Sequence, residues 1–324
     1  MSETTILLTE HLARNLGERL QQRFPGVRFL TVPAEGELPR GAEEASGFFR
    51  GFVSSDRLNE VLEQLPQLRW LHVASAGLDG ILSDPIRQRI QSGNLTLTRT
   101  ARTYDMPIGE YVIAAMFLLA KKFREVYEAQ QRQEWGRPVS LEISGSTVGI
   151  IGAGAIGREI AWRAKALGTT VLGVRRNPQP EEHYERMYGM DGLDEVLKQS
   201  DYVVLALPLT SETRYLITER ELSLMKDSAF LINIGRGALI READLIPALN
   251  EERIAGAVLD VFEEEPLPQG HPLWTAKNTI ITPHSSGLAE GNHDRLLAEF
   301  AANLELFLKG QPLNNPIREV ELGY

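Results

Sequence analysis

The ten residues Val148–Gly157, VGIIGAGAIG, constrain the fold of this chain more than any other segment. An apolar run ends in a G-x-G-x-x-G loop, and a helical pattern, AIGREIAWRAKALG, starts inside that loop. Gly152 permits a tight turn, Gly154 lets a ligand approach the backbone, and Gly157 lets the helix pack closely on the strand. The order of strand, glycine loop and helix predicts the start of a dinucleotide-binding fold, and an ordinary tight turn is the alternative.

Strands and helices alternate in two series along the chain. The predicted strands of the first series are residues 5–9, 27–32, 47–49, 68–74 and 95–99, and those of the second are 146–151, 169–174, 202–207, 229–234, 254–260 and 278–283. The predicted helices are 11–24, 57–65, Pro107–Trp135, 155–167, 193–199, 219–225, 241–250 and 289–309. Such alternation is typical of an α/β protein with parallel sheets covered on both faces.

These elements predict two doubly wound parallel-sheet domains. A Rossmann dinucleotide-binding domain, residues 102–288, is expected to be inserted in a flavodoxin-like substrate domain formed by residues 1–101 and 289–324.

Composition narrows the functional classes. The 324 residues include 34 Lys and Arg against 44 Asp and Glu, a formal charge of −10, which argues against a general binder of nucleic acids or anionic membranes. Because Cys is absent, disulfides, thiolate catalysis and Cys-based zinc sites are excluded, and with no evident ligand cluster no metal is expected. The longest apolar run, YVIAAMFLLA, is too short to cross a bilayer, and the start lacks a signal-peptide pattern, so we expect a cytoplasmic protein.

The strand that follows the glycine loop ends in an unusual sequence, RRNPQP. Sites selective for NAD place Asp or Glu here, where the carboxylate accepts a hydrogen bond from the ribose 2′-hydroxyl. This chain has Arg175 and Arg176 instead, and no acid before Glu181. Paired guanidinium groups bind a 2′-phosphate through charge-assisted hydrogen bonds, so we predict that NADPH is preferred, with NADH possible. A solvated pair of arginines is the alternative.

Three later segments place charged or titratable side chains after predicted strands. Arg236 lies in INIGRGALI, an acidic run lies in LDVFEEEPLP, and His284 lies in ITPHSSG. Open α/β sheets bind ligands at the carboxyl ends of their strands, so these side chains are candidates for chemistry. Spacing alone does not choose among Glu263, Glu264 and Glu265.

The motifs GAGAIG, LPLT, NIGRG, LDVFEEEPLP and ITPHSSG, with VASAGLD nearer the N-terminus, follow one another in an informative order. In this order, and over nearly the whole chain, the sequence resembles the D-2-hydroxyacid dehydrogenase family. The resemblance implies that Arg236, Glu265 and His284 are the catalytic residues, because the family places its acid immediately before this proline, Pro266. It also implies reduction of a 2-oxo acid to the D-2-hydroxy acid.

Elementary chemistry is compatible with those roles. Arg236 can bind the substrate carboxylate and polarise the ketone, and His284 can donate a proton to the carbonyl oxygen as a general acid. Glu265 can orient the imidazole and raise its pKa.

Backbone and side chains of several motifs are predicted to contact ligands. The predicted cofactor contacts are Gly152, Gly154, Ala155, Ile156, Gly157, Arg175, Arg176, Leu207, Pro208, Thr213, Ile234, Asp260 and Ser286. The predicted substrate contacts are Ser75, Ala76, Gly77 and Arg236. For Asp260, a cap at the end of a strand is a competing interpretation.

Two other functions remain open at this point. One is a phosphite-type dehydrogenase on the same fold, and the other is a non-catalytic protein that senses a dinucleotide. A formate-type enzyme is disfavoured, because that branch of the wider family has Gln where this chain has Glu265. Family analogy also implies a homodimer with the helix Pro107–Trp135 in the interface, whereas the sequence does not say which 2-oxo acid is used.

Overall fold

The computed structural model describes residues 4–78 and 80–317. The ends of the predicted substrate domain and Asp79 of the VASAGLD motif lie outside the described residues. The strands are β1 Thr4–Thr9, β2 Val27–Val32, β3 Ala45–Arg50, β4 Trp70–Val73, β5 Thr96–Arg99, β6 Thr147–Ile151, β7 Thr170–Val174, β8 Arg186–Tyr188, β9 Tyr202–Leu205, β10 Phe230–Asn233, β11 Gly256–Leu259 and β12 Thr279–Ile281. The helices are α1 Glu10–Arg23, α2 Ser55–Gln64, α3 Asp84–Gln91, α4 Asp105–Ala120, α5 Phe123–Gln131, α6 Ala155–Ala166, α7 Leu193–Gln199, α8 Glu219–Leu222, α9 Glu242–Asn250 and α10 Asn292–Leu308.

The chain divides into two units, and the first combines the residues before Tyr104 with those after Leu288. Its parallel sheet has the order β2-β1-β3-β4-β5, which is the flavodoxin-like order. Helix α10 packs on this sheet, where the Phe300 ring stacks on Phe49 and Trp70 with centroid distances of 4.1 and 5.1 Å. The apolar run of β1 is buried on both faces, as expected for a strand inside a covered parallel sheet.

The second unit, Tyr104–Leu288, holds a seven-stranded parallel sheet with the order β12-β11-β10-β9-β6-β7-β8. Its first strand, β6, pairs with both β7 and β9, so the strand order reverses at β6. Ligands of doubly wound sheets bind at the carboxyl ends of the strands beside such a reversal, and the glycine loop follows β6 directly. The predicted fold class, two doubly wound α/β domains of which one is of Rossmann type, is confirmed.

The prediction of one helix over Pro107–Trp135 is wrong. Helix α4 ends at Ala120, Lys122 adopts a left-handed φ of 52°, α5 starts at Phe123, and Trp135 lies beyond both helices. The carbonyl of Ala120 accepts a hydrogen bond from the Leu141 amide at 2.8 Å, so the returning chain closes the end of α4. Lysines are good helix formers, so nothing local in the sequence announced this break.

Smaller differences concern short elements. Helix α3 and strand β8 have no counterpart among the predicted elements, and the helix predicted over 219–225 ends at Leu222. Strand β8 has only three residues at the sheet edge, and its sequence RMY shows no apolar alternation. Such an element is defined by its pairing with β7 rather than by its own residues.

Candidate active site

The glycine loop fits a dinucleotide sterically. Gly152 has a φ of +102°, and a Cβ there would lie 2.6 Å from the backbone of Ala206 and Leu207. A Cβ on Gly157 would lie 2.8 Å from the carbonyl oxygen of Gly152, whereas one on Gly154 would meet only open space. Ala155 and the residues after it begin α6, whose first N–H groups have no intrahelical acceptor. The loop therefore presents backbone donors and open space, as a pyrophosphate requires.

The two arginines that follow β7 are each paired with a carboxylate. Arg175 donates through Nε to the Asn177 carbonyl at 2.8 Å and through Nη1 to Glu181 at 3.2 Å. Arg176 donates through Nη2 to Glu212 at 2.8 Å, and Glu212 lies in the loop after β9. No acid ends the strand itself, but two carboxylates from later in the chain, Glu181 and Glu212, lie beside the two arginines.

The turn after β9 carries the next predicted cofactor contacts. Leu207 is buried and Pro208 is exposed. The Thr213 hydroxyl donates to the Pro208 carbonyl at 2.7 Å and accepts from the Thr210 amide at 2.8 Å, which fixes the turn. Ile234, after the neighbouring strand β10, is also buried.

The loop that carries Arg236 is fixed by a buried asparagine. Asn233 donates to the Arg236 carbonyl at 2.9 Å and accepts from the Gly235 amide at 3.1 Å. A Cβ on Gly237 would lie 1.8 Å from the carbonyl carbon of Phe262, so only glycine allows this loop to meet the loop after β11. Asn233 is not among the predicted site residues, although a polar residue at the end of the apolar strand FLIN is a signal for such a role.

Asp260 follows β11 and is fully buried. Its Oδ1 accepts hydrogen bonds from the Thr282 hydroxyl at 2.5 Å and the Ser285 amide at 2.8 Å, and its Oδ2 accepts from the Ser286 amide at 3.0 Å. Its carbonyl accepts from the His284 amide at 2.8 Å. The carboxylate thus caps the loop that carries His284, while the predicted contacts of Asp260 and Ser286 with the nicotinamide stay predictions.

His284 and Glu265 form a hydrogen-bonded pair. Nδ1 of His284 lies 2.7 Å from Oε2 of Glu265, and Oε1 of Glu265 accepts from the Phe262 amide at 3.0 Å. Of the two other acids that spacing left open, Glu263 instead accepts hydrogen bonds from the Tyr215 hydroxyl and from the Glu242 amide, both at 2.8 Å. The structure therefore brings Glu265, rather than Glu263, to the imidazole.

The pair shifts both titrations toward the charged forms. The hydrogen bond to Glu265 raises the pKa of His284, although burial opposes this shift. Burial by itself would raise the pKa of Glu265, but hydrogen bonds from His284 and the Phe262 amide outweigh it and lower the pKa. His284 also has a left-handed φ of 50°, an uncommon conformation for a residue other than glycine. A protonated imidazole held in a constrained loop can act as a general acid.

The predicted substrate contacts of the first unit lie in the turn after β4. The Ser75 hydroxyl donates to the Gly77 carbonyl at 2.8 Å, and Arg99 donates to the Ala76 carbonyl at 2.7 Å. These bonds fix the shape of the turn, and its role toward a substrate stays a prediction.

The described residues show neither a candidate metal site nor a candidate membrane-spanning helix. Within residues 4–78 and 80–317, no three His, Asp or Glu side chains are grouped so that they could hold a metal ion. None of the helices in the part of the chain that the structure describes is long and apolar enough to cross a membrane.

Comparison with known proteins gives concordant matches. Residues 113–286 match the family model described as D-isomer specific 2-hydroxyacid dehydrogenase, NAD binding domain. A glyoxylate reductase from Thermococcus gammatolerans is 35% identical over 319 residues, which cover 94% of this chain and 93% of that relative.

Two solved structures share the whole fold. A D-isomer specific 2-hydroxyacid dehydrogenase from Xanthobacter autotrophicus Py2, in complex with NADPH and MES, has a TM-score of 0.88 and 26% identity, with both chains covered completely. An NADPH-dependent glyoxylate/hydroxypyruvate reductase from Sinorhizobium meliloti, in complex with NADP and sulfate, has a TM-score of 0.85 and 26% identity, covering 99% of this chain and 100% of the other.

Proposed function

This chain belongs to the family of D-isomer specific 2-hydroxyacid dehydrogenases and is an NAD(P)-dependent 2-hydroxyacid dehydrogenase; from that premise we propose that it reduces a small 2-oxo acid to the D-2-hydroxy acid, with NADPH preferred. The observation that carries the proposal is the His284–Glu265 pair, 2.7 Å apart, at the edge of the sheet that also carries the glycine loop. The names of the relatives, which are glyoxylate and hydroxypyruvate reductases, support a small 2-oxo acid as substrate.

His284 is the proton donor in this proposal. A bound reduced nicotinamide would supply the hydride that forms the new C–H bond at carbon 2. With Nδ1 engaged by Glu265, His284 donates the proton held at Nε2 to the carbonyl oxygen, which becomes the hydroxyl. Glu265 keeps the imidazole oriented and favours its protonated form before transfer. In the direction of oxidation the same nitrogen accepts the proton.

Arg236 is the electrostatic partner of the substrate. Its planar guanidinium can bind the carboxylate of a 2-oxo acid and polarise the adjacent ketone. The Asn233 bonds that fix the backbone of this loop spare the substrate the cost of ordering it. Contacts from Ser75, Ala76 and Gly77 to the carboxylate belong to the same proposal.

The preference for NADPH rests on Arg175 and Arg176. Both follow β7 directly, where this fold places the adenosine ribose. They occupy the position at which sites selective for NAD have an acid. Solved relatives in complex with NADPH or NADP support the same preference.

Initial rates with a panel of 2-oxo acids test the proposal. Glyoxylate, hydroxypyruvate, pyruvate, 2-oxoisocaproate and phenylpyruvate are each compared with NADPH and NADH, and phosphite oxidation is measured in parallel. We expect turnover of the small acids with a higher kcat/KM for NADPH. A higher kcat/KM for NADH would refute the preference, and turnover of phosphite alone would refute the substrate class.

We also propose that two copies pair through α4 and α5 of the second unit. Apolar side chains on α5 and beyond it are exposed, among them Phe123 (56%), Tyr127 (61%) and Trp135 (90%). Phe123 and Tyr127 are four residues apart on α5 and so share one face of the helix, and an apolar face exposed to water is a candidate protein interface. Light scattering after size exclusion should give twice the chain mass of 36.1 kDa, and a monomer would refute the pairing.

A further inference from the structure

Glu181 lies between two arginines at the adenosine end of the candidate cofactor site. Its Oε2 is 3.2 Å from Nη1 of Arg175 and 3.7 Å from Nη1 of Arg158. The side chains of Glu181 and Arg175 are only about a quarter exposed, whereas Glu212, the partner of Arg176, is 69% exposed. Water and salt therefore screen the contact between Glu181 and Arg175 less than the contact at Arg176.

A tyrosine places this cluster beside the glycine loop. The Tyr184 hydroxyl is buried, has no hydrogen-bond partner among the described residues, and lies 3.1 Å from where a Cβ of Gly157 would be. Burial and, to a smaller extent, the carboxylate of Glu181 raise the pKa of Tyr184. Glu181 thus stands near the first turn of α6 and the carboxyl end of β7, which this fold uses for the adenosine ribose.

We propose that Glu181 is a specificity-determining residue, because its carboxylate competes with the 2′-phosphate of NADPH for Arg175. The inference rests on the proposed function, in which this arginine meets that phosphate. A bound phosphate has to displace Glu181 from Nη1 or share the guanidinium with it, and the two anions repel each other. Glu181 therefore lowers the preference for NADPH that the two arginines alone would give.

Local charge supports this role. Three guanidinium groups, on Arg158, Arg175 and Arg176, face two carboxylates, on Glu181 and Glu212. Replacing Glu181 by Gln keeps its size and removes one of the two negative charges. A ligand with a 2′-phosphate gains from that change, whereas a ligand with a 2′-hydroxyl carries no charge at this position.

Glu181 has an opposite interpretation that makes the inference testable. If its carboxylate accepted a hydrogen bond from the ribose 2′-hydroxyl, as an acid does in sites selective for NAD, its loss would weaken ligands without the phosphate. The first interpretation predicts a changed affinity for ligands with a 2′-phosphate, and the second predicts a changed affinity for ligands with a 2′-hydroxyl.

Calorimetric titration of the full chain with 2′,5′-ADP and 5′-AMP separates these cases. In Glu181→Gln we expect 2′,5′-ADP to bind about fivefold more tightly, the upper end of the range for surface ion pairs, because this pair is only partly exposed, while 5′-AMP changes by less than about twofold. Glu182→Gln is the matched control, because it makes the same substitution at an adjacent carboxylate that is 86% exposed and lies 3.8 Å from Nε2 of His183. An unchanged affinity ratio in Glu181→Gln, an equal change in Glu182→Gln, or weaker 5′-AMP binding would overturn the inference.

A second variant tests the pair itself. In an Arg175→Met background the contested guanidinium is gone and only the repulsion between the two anions remains, so Glu181→Gln should change the affinity for 2′,5′-ADP much less than it does with Arg175 present. If Glu181→Gln increased the affinity for 2′,5′-ADP as much in this background as in the wild type, the effect would come from the overall charge of the site. The inferred competition for Arg175 would then be wrong. Failure of the proposed NADPH preference would give a different result. The wild-type chain would then bind 2′,5′-ADP no more tightly than 5′-AMP, whatever Glu181→Gln does to the ratio of the two affinities.

Discussion

Two loop regions of the second unit hold their charged side chains in different ways. Around His284 and Glu265, buried groups fix the backbone, since Asp260 is fully buried and accepts three hydrogen bonds from the loop of His284. Around Arg175, the charges meet through side-chain ion pairs that remain partly exposed. The candidate catalytic geometry is therefore preorganised, whereas the charges at the adenosine end can exchange partners when a ligand arrives.

This contrast has an energetic scale. Leaving a buried polar group unsatisfied costs about 1–3 kcal/mol, whereas an exposed ion pair contributes only about 0.2–1 kcal/mol. Substitutions in the first region should therefore have large effects on catalysis or stability. Substitutions around Arg175 should change the relative affinities for NADPH and NADH by small factors and leave the fold intact.

The largest effect is expected for His284→Ala. Losing the general acid should lower kcat for the best 2-oxo acid about 10²- to 10⁴-fold. NADPH affinity, measured by fluorescence titration, should stay within about twofold of wild type, because the glycine loop is unchanged. His183→Asn is the control, because it replaces a histidine outside the His284–Glu265 pair and should leave kcat unchanged. Retained kcat in His284→Ala would remove the proposed proton donor.

Asp260→Asn tests whether buried bonds hold the loop of His284. The Asn amide cannot accept all three hydrogen bonds, so we expect the free energy of unfolding to fall by about 1–3 kcal/mol. Asp201→Asn is the matched control, because Asp201 also accepts a backbone amide bond, from Thr147, but is one-third exposed. Equal urea-unfolding midpoints for both variants would contradict the contrast between the two regions.

Glu265→Gln should change the pH dependence. The hydrogen bond to Glu265 raises the pKa of His284, so its loss lowers that pKa. Because reduction requires the protonated imidazole, the high-pH limb of the kcat/KM profile should move to lower pH. Glu264→Gln, one residue away, should leave the limb in place, and a limb that also stays in place in Glu265→Gln would exclude the pairing as its cause.

The contribution of the His284–Glu265 pair to the free energy of unfolding depends on pH. The raised pKa of His284 stabilises the fold fully below the ordinary value of 6.5, and this is lost as pH rises through the folded pKa. The lowered pKa of Glu265 stabilises it above the ordinary value of 4.5, and this is lost as pH falls through the folded pKa. The difference in unfolding free energy between wild type and Glu265→Gln should therefore be greatest between those two values.

The smallest effect is expected for Glu212→Gln. Its carboxylate pairs with Arg176 but is 69% exposed, so NADPH affinity should rise by less than about twofold. Fluorescence titration of NADPH and NADH measures it. An effect as large as that of Glu181→Gln would show that exposure does not distinguish the two acids.

Local residue patterns were sufficient to predict the fold class, and together with the family resemblance they supplied the candidate site residues. The glycine loop requires a positive φ at Gly152 and close approaches at Gly152 and Gly157, and such requirements are written in local residue types. Alternating strands and helices predicted both sheets, because the order of elements in doubly wound folds is carried by the chain itself. The resemblance selected Glu265 among three adjacent acids, where spacing could not.

Contacts between groups that are distant in sequence could not be predicted from these patterns. The break at Lys122 depends on the Leu141 amide reaching the end of α4, and the cap at Asp260 depends on a loop that starts 22 residues later. The pairing of Glu181 with Arg175 likewise follows from how the loop after β7 folds back. These contacts are set by packing between separate segments, and a pattern of residue types along one segment does not encode the identity of its partner.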